Sequence, residues 1–160
     1  MNVLGNFIGE ICKSLIPIPE EVYFGNNESS ISVCTLSSIN LLKRISDSNL
    51  MNNIAVVGRL LSENQGIDSI IQNVISNKKN KIIILCGKEV SGHKAGHSLL
   101  ALHKNGINND GRIIESNSPD PILMVSKTDV EKFRNQVKII NKIGTTNFSE
   151  INKLVNSLKN

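Results

Sequence analysis

All three histidines, one of the three cysteines and a set of closely spaced glycines fall in one stretch, KIIILCGKEVSGHKAGHSLLALHKNG, residues 81–106, and these are the residue types that could carry chemistry. Gly87 and Gly92 have the GxxxxG spacing of a phosphate-binding loop. His93 holds the lysine position and Lys94 the Ser/Thr position, so the hydroxyl that would bind magnesium is missing and a nucleotide site is not expected. His93 and His97 stand four apart, like two ligands on a zinc helix, but Lys94 replaces the glutamate that a zinc protease needs. Structural zinc would require Cys86 or His103 as a further ligand. Cys86 beside His93 could pair a nucleophile with a base, although a cysteine ending a core strand more often serves as a small buried hydrophobe.

The elements around this stretch say where it sits. Residues 81–85 are four-fifths apolar, with three isoleucines in a row, a run suited to a parallel strand covered on both faces. A glycine-bearing loop follows, then Leu99, Leu100 and Leu102 on a helical period that stops at Asn105-Gly106, a helix C-terminal signal. In an open α/β sheet the ligand lies beyond the carboxyl ends of the strands, which puts His93 in the first place to look. Two more strands are expected upstream. Residues 31–36 lead through Cys34-Thr35-Leu36-Ser37-Ser38 into a short helix over 38–47, and residues 54–57, broken by Gly58, lead into a helix carrying Ile67, Ile70, Ile71, Val74 and Ile75 and ending at Asn77. Right-handed crossovers would bring the three loops to one edge.

The rest of the chain completes an α/β, Rossmann-like single domain, a mostly parallel sheet flanked by helices. Residues 1–20 form a separate N-terminal segment: Val3, Leu4, Phe7, Ile8, Ile11 and Leu15 make an amphipathic helical pattern over 2–16, closed by Pro17 and Pro19. Residues 21–160 form the domain. Residues 21–27 read as a turn, 112–114 as a short strand and 115–121 as a loop. Thr128 and Glu131 have capping-box spacing, so a helix with Val130, Phe133, Val137 and Ile140 is expected from near Asp129. Residues 138–143 suit either its last turn or another strand. A final helix from near Ser149 would bury Ile151, Leu154, Val155 and Leu158.

Bulk composition narrows the classes. The chain has 160 residues, 39% of them hydrophobic and 3% aromatic, enough for one core built from Ile, Leu and Val but little for base stacking, so no nucleic-acid partner is expected. Residues 1–80 carry 6 Lys/Arg against 7 Asp/Glu and residues 81–160 carry 12 against 7, a solvated basic surface or a site for an anionic ligand or acidic partner. Three widely spaced cysteines without a CxxC point to a reduced, cytoplasmic protein. No stretch approaches the roughly 20 apolar residues of a membrane span, and the N-terminus is too acidic for a signal peptide.

One further reading of the histidine loop rests on likeness. LCGKEVSGHKAGHSLLALHKNGI resembles the histidine loop of the MtrA subunit of the tetrahydromethanopterin S-methyltransferase of methanogenic archaea, a corrinoid protein of one-carbon metabolism. The resemblance extends to SVCTLSS near residue 33, AVVG and SENQGI near residue 60, NVISN before the central strand and EKFRNQVKIIN near residue 135. It implies a Rossmann-like domain that holds a cobamide, cobalamin or 5-hydroxybenzimidazolylcobamide, with His93 as axial ligand to cobalt. It further implies contacts from Thr35, Leu36, Ser37, Gly58, Glu63, Asn64, Gly66, Gly87, Glu89, Gly92, Gly96 and Pro121. His97 and His103, one turn and more along the helix expected after Lys94, read as helix-surface or packing residues and not as ligands. The implied function is methyl transfer from methyl-tetrahydromethanopterin towards coenzyme M, with partner subunits donating and accepting the methyl group.

The family's membrane-complex members carry a C-terminal membrane-spanning helix, whereas this chain reaches Asn160 with none, so a stand-alone relative and a trimmed soluble domain both stay open, as does peripheral association with a membrane complex. Arg59-Leu60-Leu61 and residues 115–120 also depart from the family pattern, in loops expected to border the corrin. A non-catalytic corrinoid store or sensor, a corrinoid protein serving another methyltransferase, and a small Cys/His enzyme without cofactor are the alternatives.

Overall fold

Strands at the centre of a parallel sheet must be apolar on both faces, and ISVC and IIILCG meet that demand. In the computed structural model, which describes residues 21–159, they form the adjacent strands β2 (Ile31–Cys34) and β4 (Ile82–Gly87), paired in parallel. β3 (Val56–Gly58) lies on the far side of β2 and β5 (Lys138–Ile143) beyond β4, both in parallel. β1 (Val22–Phe24) pairs antiparallel with β3 at the edge, so the order is β1-β3-β2-β4-β5. The fold is the expected α/β domain with a mostly parallel sheet.

Alternation along β4 builds two cores. Ile83 and Leu85 face α2 (Gln65–Ser76), α3 (Ala95–Asn105) and α4 (Lys127–Gln136), in a cluster with Ile67, Ile71, Leu99, Leu102 and Phe133. Ile84 and Cys86 face the other way, with Leu42 and Ile45 of α1 (Ile39–Ser46) and Ile151 and Val155 of α5 (Phe148–Leu158). At about 1.5–3 kcal/mol for each fully buried Ile or Leu, this one strand anchors both layers.

Connectivity then fixes the position of a site. From β2 the chain passes outward to β3 and returns past β2 to β4, so the direction of winding reverses between β2 and β4. In open α/β sheets a reversal of this kind, at the carboxyl ends of the strands, is where ligands bind.

Several local expectations are corrected. Residues 21–27 are not only a turn, because Val22, Tyr23 and Phe24 pair with β3. The strand expected over 31–36 stops at Cys34, since Leu36 turns into the left-handed region at φ 49°. The strand expected over 54–57 is shifted to Val56–Gly58, and the central one runs on to Gly87. Residues 112–114 make only isolated bridges, Ile107 to Ile113 and Arg112 to Ile122. Ser126 rather than Thr128 caps α4, accepting from the Asp129 N–H, and Glu131 pairs with Arg134 instead of closing a capping box. Residues 138–143 are a strand. The amphipathic pattern over 2–16 lies outside the described residues. No described helix is long and apolar enough to cross a membrane.

Candidate functional site

At the carboxyl edge of the sheet the loops after β2 and β4 are held together by backbone contact. Gly87 has φ 79°, and a Cβ there would stand 2.0 Å from the Thr35 carbonyl oxygen, so only glycine lets the two strand ends meet this closely. Ser37 N–H and hydroxyl both donate to the Lys88 carbonyl, and Lys88 N–H donates to the Ser38 hydroxyl. Beside this seam the Thr35 hydroxyl is fully buried and has no hydrogen-bond partner among the described residues.

Above the seam the β4 loop carries His93. Its Nδ1 lies 2.8 Å from Oε2 of Glu63, which belongs to the loop after β3. The Glu63 side chain is 3% exposed and that of His93 is 56% exposed. Burial pushes the Glu63 carboxyl up, but its own backbone N–H, the Asp120 N–H and His93 together outweigh this and hold it below the ordinary carboxylate value. An ionised Glu63 only accepts, so His93 donates through Nδ1–H, an arrangement that in the neutral imidazole puts the lone pair on Nε2, which has no partner among the described residues. A buried carboxylate behind an outward-facing imidazole is the arrangement that orients a metal-binding histidine.

The excursion between α3 and α4 locks this pair in place. Asp120 N–H donates to the other Glu63 oxygen at 3.0 Å, the Ser118 hydroxyl donates to the His93 carbonyl, and Ser98, Ser116 and Ser118 join hydroxyl to hydroxyl. Asn64 caps α2 through the Gln65 N–H and reaches Asp120 with its amide. Leu36, Lys94 and Glu115, the described non-glycine residues at positive φ, lie in the loops after β2 and β4 and in this excursion. Backbone strain collected in this way is common at functional sites.

The structure therefore brings together Thr35, Ser37, Gly58, Glu63, Asn64, Gly87, Glu89, Gly92 and His93 in the loops at the strand ends, but not in equal roles. Gly92 is exposed, and a side chain there would meet nothing within 4 Å. Gly96 is buried, where a Cβ would crowd Glu89, Leu36 and Ile143, so its smallness serves internal packing. Leu36 is fully buried in the core, Gly66 lies inside the first turn of α2 with its N–H on the Ser62 hydroxyl, and Pro121 is buried with its carbonyl accepting from Ile113. The loop 115–120 is expected beside the site, but the individual roles of Ser116, Ser118 and Asp120, and that of Ser98 altogether, are not legible in the sequence, because contacts made across 18 to 57 residues of separation leave no local pattern.

Rival chemistries lose their partners here. Burial pushes the Cys34 thiol up to about 12 and the Cys86 thiol further still, so neither is a ready nucleophile. His103 Nε2 is spent on the Val137 carbonyl at 2.7 Å. Among the described residues no group of three or more His, Cys, Asp or Glu could hold a metal ion, so none of them forms the four-ligand set of a structural zinc.

The family model for MtrA, the subunit of tetrahydromethanopterin S-methyltransferase designated by that letter, matches residues 13–160. The chain belongs to this family. A relative in Methanosarcina barkeri, the corresponding subunit of a "Putative methyltransferase Mtx", is 43% identical over 136 residues, which is 84% of this chain and 65% of the relative. The like-named protein of Methanosarcina mazei is 45% identical over 102 residues, 63% of this chain and 59% of the relative. The corresponding tetrahydromethanopterin S-methyltransferase subunit of Methanocaldococcus jannaschii is 37% identical over 140 residues, 87% of this chain and 56% of the relative. The chain thus spans somewhat under two thirds of the length of these curated relatives.

Proposed function

We propose that this chain binds a cobamide at the carboxyl edge of its sheet, with His93 Nε2 as axial ligand to cobalt, and acts as the methyl-carrying subunit of a methyltransferase. The observation that carries the reading is the His93–Glu63 pair: one outward imidazole, backed by a buried carboxylate, with no second or third protein ligand among the described residues. A corrin fits that donor set, because its ring nitrogens fill four positions on the cobalt and an imidazole is a suitable donor for a remaining one. When bound, the cobamide supplies a cobalt that takes up and gives away a methyl group.

The chain's own residues supply orientation. Glu63 holds the His93 tautomer and raises the basicity of Nε2, and Asp120 and Ser118 fix the pair from the opposite loop. Gly92, exposed and without neighbours, leaves room for a broad flat ring beside His93. Thr35 offers a buried hydroxyl beside the seam between the loops after β2 and β4.

The family name supports methyl-tetrahydromethanopterin as donor and a thiol as acceptor, with partner subunits binding both. The Mtx relatives, at 43% and 45% identity, favour a second version in which the same carrier serves a different methyltransferase. Soaking the purified protein with cobalamin followed by desalting tests the binding. A coloured protein with one corrin per chain is expected, and a colourless one contradicts the proposal. Methyl transfer from methyl-tetrahydromethanopterin in the presence of partner subunits then separates a carrier from a store or sensor.

A further inference from the structure

Residue sizes in two rows of the sheet leave a hollow beneath α2. The pairing of β1, β3 and β2 sets Phe24, Val56 and Ser32 in one row and Val22, Gly58 and Cys34 in the next, on the face that carries α2. Serine and glycine stand where larger apolar side chains would fill the space, and a groove of about 200 Å³ remains between these rows and residues 69–74 of α2. That is below the roughly 300 Å³ at which drug-sized ligand sites begin, so the groove suits a small molecule. Its walls are mainly apolar, yet each end is polar. At the Val56 row, Asn80 is 1% exposed; its amide nitrogen donates to the Ser32 hydroxyl at 2.7 Å, and its Oδ1 is buried with no hydrogen-bond partner among the described residues. Past Gly58, at the other end, Arg59 Nε is buried and has no such partner either. Buried polar atoms are nearly always paired, and two unpaired ones on a single groove point to a ligand that pairs them.

We propose that the groove binds a small apolar carboxylate that carries a hydroxyl at its far end. Among the described residues that line the groove, Arg59 is the one with a charge, and none of the described ion pairs includes it. A lone cation in an apolar wall selects an anion. A guanidinium whose Nε edge is open takes a carboxylate through two parallel N–H···O bonds, which gives Arg59 Nε the acceptor it lacks. From Val56 to Arg59 the chain advances three residues, about 10 Å at strand rise, and an extended chain of about eight carbons with bonds of about 1.5 Å covers that distance. Val22, Val56, Ile70 and Val74 would pack along it. At the inner end a hydroxyl supplies the donor that Asn80 Oδ1 lacks. Neither His93 nor Glu63 lines this groove, so the inference stands apart from the cobamide reading.

Nuclear magnetic resonance of the full chain labelled with nitrogen-15, titrated with octanoate, octanamide and 8-hydroxyoctanoate, tests this. Octanoate should shift the Arg59 Nε–H signal and the amide signals of β3 and residues 69–74 in a saturable way. Octanamide, which has no charge, should bind about 10-fold more weakly, and 8-hydroxyoctanoate about 5-fold more tightly. Arg59→Gln should weaken octanoate about 10-fold and leave octanamide unchanged, while Asn80→Ala should remove the advantage of the hydroxyl. Asn73 is exposed on the rim, so Asn73→Trp fills the groove from outside the core and should abolish binding of all three. Circular dichroism verifies that each variant stays folded. No saturable shift with either carboxylate, equal affinity for octanoate and octanamide, binding unmoved by Arg59→Gln or by Asn73→Trp, or an Arg59 signal that answers to cobalamin and not to octanoate would each overturn the proposal. The last would assign the groove to the cofactor instead.

Discussion

His93 and His97 make the same contact, Nδ1 to a glutamate oxygen, at 2.8 Å and 2.6 Å, yet the two pairs are built for different ends. Glu63 follows another strand, is 3% exposed and shares its second oxygen with the Asp120 N–H, so three distant segments converge on one imidazole. Glu89 lies eight residues before His97, is 19% exposed and accepts the N–H groups of Val90, Gly96 and His97. Lys94, at the start of α3, gives no side-chain cap. Glu89 therefore serves as the missing cap for α3, and His97 adds one more donor to it. One pair aims a side chain; the other finishes a helix.

That distinction can be broken first at its common support. Gly87→Ala forces a Cβ against the Thr35 carbonyl at positive φ, and roughly 3 kcal/mol or more of stability should be lost in urea unfolding, with both pairs disturbed together. Next in size is Glu89→Ala, which leaves three N–H groups without their acceptor. A loss of about 2 kcal/mol is expected, together with faster amide exchange at the start of α3, while cobalamin coordination by His93 survives. Glu63→Gln should reverse the pattern. It keeps a hydrogen-bonding side chain and costs about 1 kcal/mol of stability, but weakens cobalt ligation by His93 about 10–100-fold.

Acid sharpens the comparison with the smallest signal. Glu63 and Glu89 both have folded-state pKa values below the ordinary 4.5, in each case because hydrogen bonds to the carboxylate overcome the effect of burial. As the pH falls, the unfolded chain takes up protons first, so the stability these groups contribute is complete above about pH 4.5 and lost through their lowered native values. Glu63→Gln and Glu89→Gln should each show a shallower loss of stability with acid than the parent chain, measured by urea unfolding from about pH 6 down to about pH 3.

The legible parts of the chain are those set by local rules. The triple isoleucine of β4, the period of α2 and the Asn105-Gly106 stop of α3 are each a property of neighbouring residues. β1 was illegible because three residues between Glu21 and Gly25 resemble a turn and become a strand only by pairing with β3. Residues 138–143 stayed open because Ile140 continues the apolar period of α4, and β4 alone decides for a strand. In the site, the loops were legible from strand ends and glycines, and His93 was singled out by family resemblance. Its pairing with Glu63 across 30 residues, and the Ser118 and Asp120 contacts that brace it, exist only once the sheet has wound.

The central claim is that His93, and not its twin His97, is the cobalt ligand. Electron paramagnetic resonance of the cobalamin-loaded protein, reduced by one electron and prepared with histidine labelled with nitrogen-15, tests this directly, because only a histidine ligand makes the nitrogen splitting depend on the label. The label should change the splitting from a triplet to a doublet in the parent chain and in His97→Ala, and should have no effect in His93→Ala. A label effect that persists in His93→Ala, or disappears in His97→Ala instead, contradicts the account.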